Sequence, residues 1–469
     1  MADEGGAAQP LASGSAQPVM NRWLVVIGAI LIQLCLGAIY AWSVFTTTLK
    51  ASPESGGYGF SATQTQWIFS AGLATFALVM LFAGRWQAKA GPRTVAVVGG
   101  LVLGAGYILG GFIGKTFISQ LVCIGIIGGA GIGLAYVVPI AVGVKWFPDK
   151  KGMITGLAVA GFGFGATIWV KLAGSWVWEG GLLAKADGLF GLPSVQAVFV
   201  IYGIAFLILV LLGSFVMVNP PAGWKPAGWN PMGPSNGGKK LAAVADLGTG
   251  QMFATPQYWG LLLMFTGSAL AGLMVIGCIR LFGVDSLISN GVVTGDVLKE
   301  VRDTAGTIAG TAMAWYAILN GLGRIVWGTV SDKIGRKVAL FLMCLIQGIM
   351  MLAFYQVGAS KIGLIIGACI IGFNFGGNFA LFPAATADFF GNKNVGTNYP
   401  WVFLAYGIAG IVGPQIAGFF KDAAPVAQTV AEVSATAWRT PFIIAGVACL
   451  VAAVIGLVLK APKAPKAEA

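Results

Sequence analysis

The 469-residue sequence contains no histidine and little charge of either sign: 28 Lys and Arg and 16 Asp and Glu make up 9% of the chain. An ordinary soluble domain carries about 25% charged residues. Without histidine there is no His-ligated metal, no Ser/His/Asp triad and no histidine proton relay. The six cysteines (Cys35, Cys123, Cys278, Cys344, Cys369, Cys449) lie singly in apolar runs with no Cys-x-x-Cys pair, which removes a dithiol or thiolate-metal site. They read as small buried hydrophobes. Paired acids inside apolar runs are also missing, and no gap between runs is long enough for a soluble catalytic domain. No enzyme, cofactor or metal is expected.

Apolar sequence takes the place of charge: 57% of residues are hydrophobic and the mean hydropathy is +0.85. Runs long enough to cross a bilayer, which takes roughly 20 apolar residues, recur along almost the whole chain. The spacing predicts an all-α membrane protein of twelve transmembrane helices, starting near residues 22, 62, 93, 118, 152, 197, 258, 304, 337, 361, 396 and 439. The 71 glycines suit close helix crossing in lipid, with stripes at Gly125-xxx-Gly129-xxx-Gly133 and Gly161-xxx-Gly165. The first 17 residues are too polar for a signal peptide.

The net charge of +12 follows from loop placement rather than from a polyanion partner, and no nucleic acid is expected. Seventeen of the 28 basic residues fall on the segments that share a side with the termini, ten on the other side, and Arg324 within a span. The positive-inside rule then places both termini in the cytoplasm, with the protein in the plasma membrane, the inner membrane if bacterial.

One offset, +244, relates the two halves: Gly28 to Gly272, Gly128 to Gly372, Gly133 to Gly377, Pro139 to Pro383 and Gly152 to Gly396. The expected organisation is a disordered tail (1–20), a six-helix bundle (21–218), a Pro/Gly-rich linker (219–257), a second six-helix bundle (258–460) and a short tail (461–469). The same offset takes Gly84-Arg-Trp-Gln-Ala-Lys-Ala-Gly-Pro-Arg93 to Gly328-Thr-Val-Ser-Asp-Lys-Ile-Gly-Arg-Lys337.

Parallel six-helix repeats and the Gly328-xxx-Asp332-Lys-x-Gly335-Arg336-Lys337 loop resemble the major facilitator superfamily over residues 20 to 460. The resemblance implies two pseudo-symmetric bundles that rock about a central substrate site, a functional monomer, and a conformational latch at Gly328, Asp332, Gly335 and Arg336. The first-half copy departs from the signature, with Ala88 where Asp is usual. Gly37-Ala-Ile-Tyr-Ala-Trp-Ser-Val-Phe45, Tyr136-xx-Pro139, Lys145-Trp-Phe-Pro-Asp-Lys-Lys-Gly152, Asn320-Gly-Leu-Gly-Arg324 and Gly396-Thr-Asn-Tyr399 further resemble the oxalate:formate antiporter family, close to the monocarboxylate transporters.

Arg324 is the first candidate for binding substrate. A charge within a span is costly unless a cavity or a partner uses it, and the planar guanidinium matches a carboxylate in two-pronged fashion. Snorkelling to the surface, or pairing with Asp388, is the competing reading. The resemblance also implies a substrate-binding Arg here. Asn320, four residues earlier on the same helix face, can orient the guanidinium or bind a substrate hydroxyl. Tyr40 and Tyr136 can donate to the carboxylate from the first half, or serve as interface anchors. Asn374 and Asn378, which replace Ala130 and Leu134 of the repeat mate, are substrate or helix-bonding candidates alike.

Monocarboxylate transporters commonly carry Asp at the Asn320 position, and oxalate carriers a second cation at the Tyr406 position, where this chain has a phenol. One fixed cation balances a monoanion, so lactate-like, acetate-like or formate-like substrates are expected, possibly with a proton. Oxalate:formate-type exchange is the alternative, and a transporter-like sensor a more remote one. Arg280 is expected to pair with Asp285 at the outer side. Gly161-x-Gly163-x-Gly165 and Gly110-Gly-Phe-Ile-Gly-Lys-Thr116 lack the context of nucleotide sites.

Overall fold

The computed structural model describes residues 20–55, 57–147, 151–174, 181–221, 224–226, 246–391 and 394–459, and within them the long elements are all helices. They are α1 (Arg22–Lys50), α2 (Ala62–Ala90), α3 (Pro92–Ile113), α4 (117–146), α5 (Lys151–Gly174), α6 (Ser194–Ser214), α7 (Pro256–Ser289), α8 (Leu298–Ile334), α9 (Arg336–Val357), α10 (Lys361–Phe390), α11 (Val395–Asp422) and α12 (Arg439–Val458). Each begins within six residues of its expected start. Both expected tails, save Met20, and most of the 219–257 linker lie outside the described residues.

Among the described residues eleven helices are long and apolar enough to cross a membrane. The exception is α8, which at 37 residues fails on composition and not on length. It is the helix that carries Asn320 and Arg324. Large apolar side chains such as Phe82, Phe215 and Ile362 stand on the outer surface, where a water-soluble fold would place charge.

The repeat is visible in the helix boundaries. At the same offset of 244, α3 (92–113) maps onto α9 (336–357), the α4 limits 117 and 146 onto the α10 limits 361 and 390, and the α6 end at 214 onto the α12 end at 458. Gly91 and Gly335, also 244 apart, hold φ of 85° and 88°, a left-handed turn that only glycine takes without strain. Packing repeats too. Helix α3 lies on α6 as α9 lies on α12, and α2 on α4 as α8 on α10. Between the halves, α2 runs along α11 and α5 along α8, the same pairing viewed from either bundle.

The face where α1 begins and α12 ends is here the near face, and the opposite one the far face. On the near face the signature loop gathers three helix ends of the second bundle. Arg336 Nη2 lies 2.6 Å from Asp332 Oδ1, its Nε lies 3.3 Å from Asp388 Oδ2 on α10, and its Nη1 donates to Ser331 Oγ. In the degenerate first copy, Arg93 donates to the Phe215 carbonyl at 2.5 Å. On the far face the expected Arg280–Asp285 pair does not form. Asp285 accepts from Lys421 Nζ at 2.5 Å and from Trp438 Nε1 at 2.7 Å. Arg280 instead lies against Gly306 of α8, where a Cβ would stand 3.0 Å from its Nη2. Sequence spacing along α7 could not reveal partners supplied by α11 and by the turn that leads into α12.

Candidate substrate site

Glycines set the depth at which α8 meets its neighbours. Gly323 on α8 and Gly372 and Gly376 on α10 each face a partner backbone, Phe373, Tyr316 and Asn320 respectively, where a Cβ would collide. On the other side Gly163 of α5 faces α8, and a Cβ there would stand 2.8 Å from both Asn320 Oδ1 and the Gly321 nitrogen. Flanking Gly161 and Gly165 face Ile30, Gln33 and Leu34 of α1, so the Gly-x-Gly-x-Gly run packs α5 against two helices at once. Replacing Gly163 by alanine should therefore cost about 1–3 kcal/mol in overpacking and lower uptake about tenfold. Initial uptake rates and thermal unfolding of the variant check this; wild-type values for both would show that the close crossing is dispensable.

Arg324 sits at this crossing, only 2% exposed. Its Nε and Nη2 donate to Asn320 Oδ1 at 3.2 and 3.0 Å, and its Nη1 donates to the Val159 carbonyl of α5 at 2.8 Å. The first two bonds hold the guanidinium within α8, and the third crosses between the halves. The guanidinium carbon lies 4.0 Å from the Phe379 ring centre and 5.7 Å from that of Phe162, one ring from each half. Three of the five N–H donors are thus committed. None goes to a carboxylate. Both competing readings fail on geometry, since the side chain does not reach the surface and Asp388 is engaged by Arg336.

An aromatic cage closes around this charge. Tyr40 lies where α1 tightens into a 3-10 turn over Gly37–Ala41, and its hydroxyl meets that of Tyr406 on α11 at 3.0 Å. Phe76 packs edge-on to Tyr136 at 5.0 Å, and Tyr136 to Phe162 at 5.5 Å. From the second half Phe403 stacks on Tyr406 at 4.9 Å, and Phe379 meets Tyr406 edge-on at 5.7 Å. The hydroxyls of Tyr40 and Tyr136 are within interaction range of the guanidinium. All of these rings are buried.

The structure thus brings together Arg324, Asn320, Tyr40, Tyr136 and Tyr406. It does not bring Asn374 and Asn378 into the cage. Asn374 Oδ1 accepts from Trp327 Nε1 at 3.2 Å and Asn378 Oδ1 from Ser268 Oγ at 2.8 Å, both inside the second bundle. The reason is helical phase: Phe375 and Phe379 occupy the face of α10 that meets the cage, and each Asn lies about 100° round from its Phe. Phe162, Phe379 and the Val159 carbonyl were not singled out from the sequence. The repeat offers a signal for part of the cage, because at the 244 offset Phe76 maps to Asn320, Val159 to Phe403 and Phe162 to Tyr406. Three cage positions are thus used twice, and at two of them, Asn320 and Tyr406, the second half is polar where the first has phenylalanine.

A buried cation, bonded to both members of a pair of repeated six-helix bundles, is the arrangement of a carrier that binds its cargo between two moving halves. The sequence model of the Major Facilitator Superfamily matches residues 23–295 and 281–469, and the chain belongs to that superfamily. It is a transporter and not an enzyme. It is 28% identical to an uncharacterized MFS-type transporter, YhjX, of Escherichia coli (strain K12) over 83% of this chain and 86% of that one. It is 27% identical to an oxalate:formate antiporter of Oxalobacter formigenes over 92% of this chain and 90% of the other. With apicoplast pyruvate carrier 1 of Toxoplasma gondii it shares 24% identity over 89% and 86%. Among solved structures it resembles a bacterial homolog of the human lysosomal transporter Spinster, with a TM-score of 0.67, 17% identity and coverage of 95% and 97%.

Proposed function

We propose that this protein carries small monocarboxylates across the membrane by alternating access, with a proton, and that Arg324 binds the substrate carboxylate. The supporting observation is the guanidinium itself: a permanent charge inside the fold whose protein partners are a neutral amide, a backbone carbonyl and two rings. Its other two donors, within range of the Tyr40 and Tyr136 hydroxyls, can turn to an anion. Asn320 fixes the plane of the fork, and Tyr40, Tyr136 and Tyr406 supply hydroxyls around it. A single cation balances one negative charge, and a second would be expensive to leave unpaired in this low-dielectric cage. The relatives named for oxalate:formate exchange and for pyruvate also handle small carboxylates. Asp388 is spent on Arg336 at the near face, so the substrate's own carboxyl is the group left to take up the proton as it enters or leaves the cage. The basic near-face loops favour a cytoplasmic side for both termini. The protein acts as a monomer in the plasma membrane.

The test is uptake of labelled lactate, acetate, formate and oxalate into proteoliposomes, with protein-free liposomes subtracted. Monocarboxylate uptake should rise about tenfold with an inward gradient of one pH unit, and a tenfold excess of oxalate should not compete. Oxalate entering only in exchange for internal formate would replace this reading with the antiporter one.

A further inference from the structure

From the cage to the far face, the two halves are joined along the α5–α8 and α2–α11 seams, and the end of α1 and the start of α2 also meet α7, where Gln66 Nε2 donates to the Gly277 carbonyl at 3.1 Å. On the α5–α8 seam the contacts outward of Arg324 involve no carboxylate: Thr167 Oγ1 donates to the Ala314 carbonyl at 3.0 Å, and Lys171 Nζ donates to Thr311 Oγ1 at 2.8 Å. On the α2–α11 seam Gly407 and Gly410 let α11 lie against Ala77 and Leu73, and Gln415 Nε2 donates to Ser70 Oγ at 3.3 Å. This second seam ends differently.

At its far end Asp422, the last residue of α11, sits on the first turn of α2. Its Oδ1 accepts from the Ala62 backbone N–H at 2.6 Å and its Oδ2 from that of Thr63 at 2.7 Å. Lys50, the last residue of α1, stands 3.9 Å from the same carboxylate. One turn before Asp422, Gly418 admits the Thr63 backbone, where a Cβ would come within 2.8 Å of its Cα.

The start of α2 already has a cap of its own. Ser61 Oγ accepts from the Gln64 N–H at 3.0 Å, and Gln64 Oε1 accepts from the Ser61 N–H at 2.9 Å, a reciprocal capping box. That box leaves the donors of the first two helical residues for another acceptor. A carboxylate from the opposite half takes both, where the helix dipole and charge-assisted hydrogen bonds favour negative charge. Helix α2 has its own cap in Ser61 and Gln64, so the contact with Asp422 binds the halves to each other rather than starting the helix.

The geometry points to Asp422 as the far-face gate of the carrier: its carboxylate clasps the N-terminus of α2 to close the far side, and must let go for that side to open. Neighbouring Lys421 is held by Asp285 on α7, which fixes the end of α11 within its own bundle while Asp422 reaches across. The clasp lies opposite the Arg336 cluster of the near face, which joins helices of one bundle. The assignment does not depend on which substrate is carried.

Ser70, fully buried two turns below the clasp, is the place for a reporter. In purified protein the Ser70→Cys thiol should react slowly with a hydrophilic maleimide, and about tenfold faster when Asp422→Ala is added. Lys50→Gln should accelerate it less. Native Cys449, buried inside the second bundle, should stay unreactive throughout. If Asp422→Ala exposes Cys449 as well, the isosteric Asp422→Asn decides, because it keeps the shape and one acceptor for the α2 donors while losing the charge and the second acceptor: a faster Ser70→Cys reaction with Cys449 still silent supports the gate, and an unchanged one overturns it. An unchanged Ser70→Cys rate in the folded variant overturns the gate.

Discussion

Arg324→Lys is expected to lower uptake about a hundredfold or more, although it keeps the charge and most of the volume. The guanidinium makes three bonds in one plane, two to Asn320 Oδ1 and one to the Val159 carbonyl, between two aromatic faces. An ammonium is a strongly hydrated point charge that cannot offer a flat fork to a carboxylate or lie between rings. Lysine would leave Asn320 Oδ1 or the Val159 carbonyl without its donor, and a buried polar group stripped of its partner keeps the full cost of desolvation. Uptake of labelled lactate into proteoliposomes checks the expectation, alongside size-exclusion profiles to show that the variant folds. Arg324→Ala should give background flux. Robust transport by either variant would remove Arg324 from the substrate path.

Several parts of this molecule could be read before any coordinates. The twelve helices and the 244-residue repeat follow from apolar run length and from glycine and proline spacing, because lipid demands long apolar spans and helix crossings demand small residues. Asn320 and Arg324 stand out because a charge and an amide four residues apart are rare within a span. What the sequence hid has identifiable causes. A backbone carbonyl such as that of Val159 leaves no residue-type signature. Phe162 and Phe379 are two among 29 phenylalanines, each ordinary for an apolar helix. Asn374 and Asn378 were equally conspicuous as amides, but only the helical phase relative to Phe375 and Phe379 shows that they face Trp327 and Ser268. The partners of Asp285 and Asp422 are 136 and 360 residues away, and adjacency in sequence suggested Arg280 instead of Lys421 for the first.

Tyr406→Lys tests the charge argument by reversing the preference. Tyr406 is fully buried, hydrogen-bonded to Tyr40 and stacked on Phe403, in the cage that holds Arg324. The oxalate carriers that this chain resembles place a cation at this position. A lysine here would set two positive charges in one desolvated cage, where like charges repel and a monoanion can neutralise only one. Lactate uptake should fall about tenfold, and oxalate, with a carboxylate for each cation, should become a substrate in exchange assays. The variant should also be less stable than wild type and recover when oxalate is added. Ligand at a hundred times its dissociation constant contributes about 2.7 kcal/mol to the folded state. Thermal unfolding with and without oxalate reads this directly, and wild-type protein should show no such rise. If Tyr406→Lys instead transports lactate as wild type does and ignores oxalate, then position 406 does not face the substrate, and counting charges in the cage does not explain selectivity.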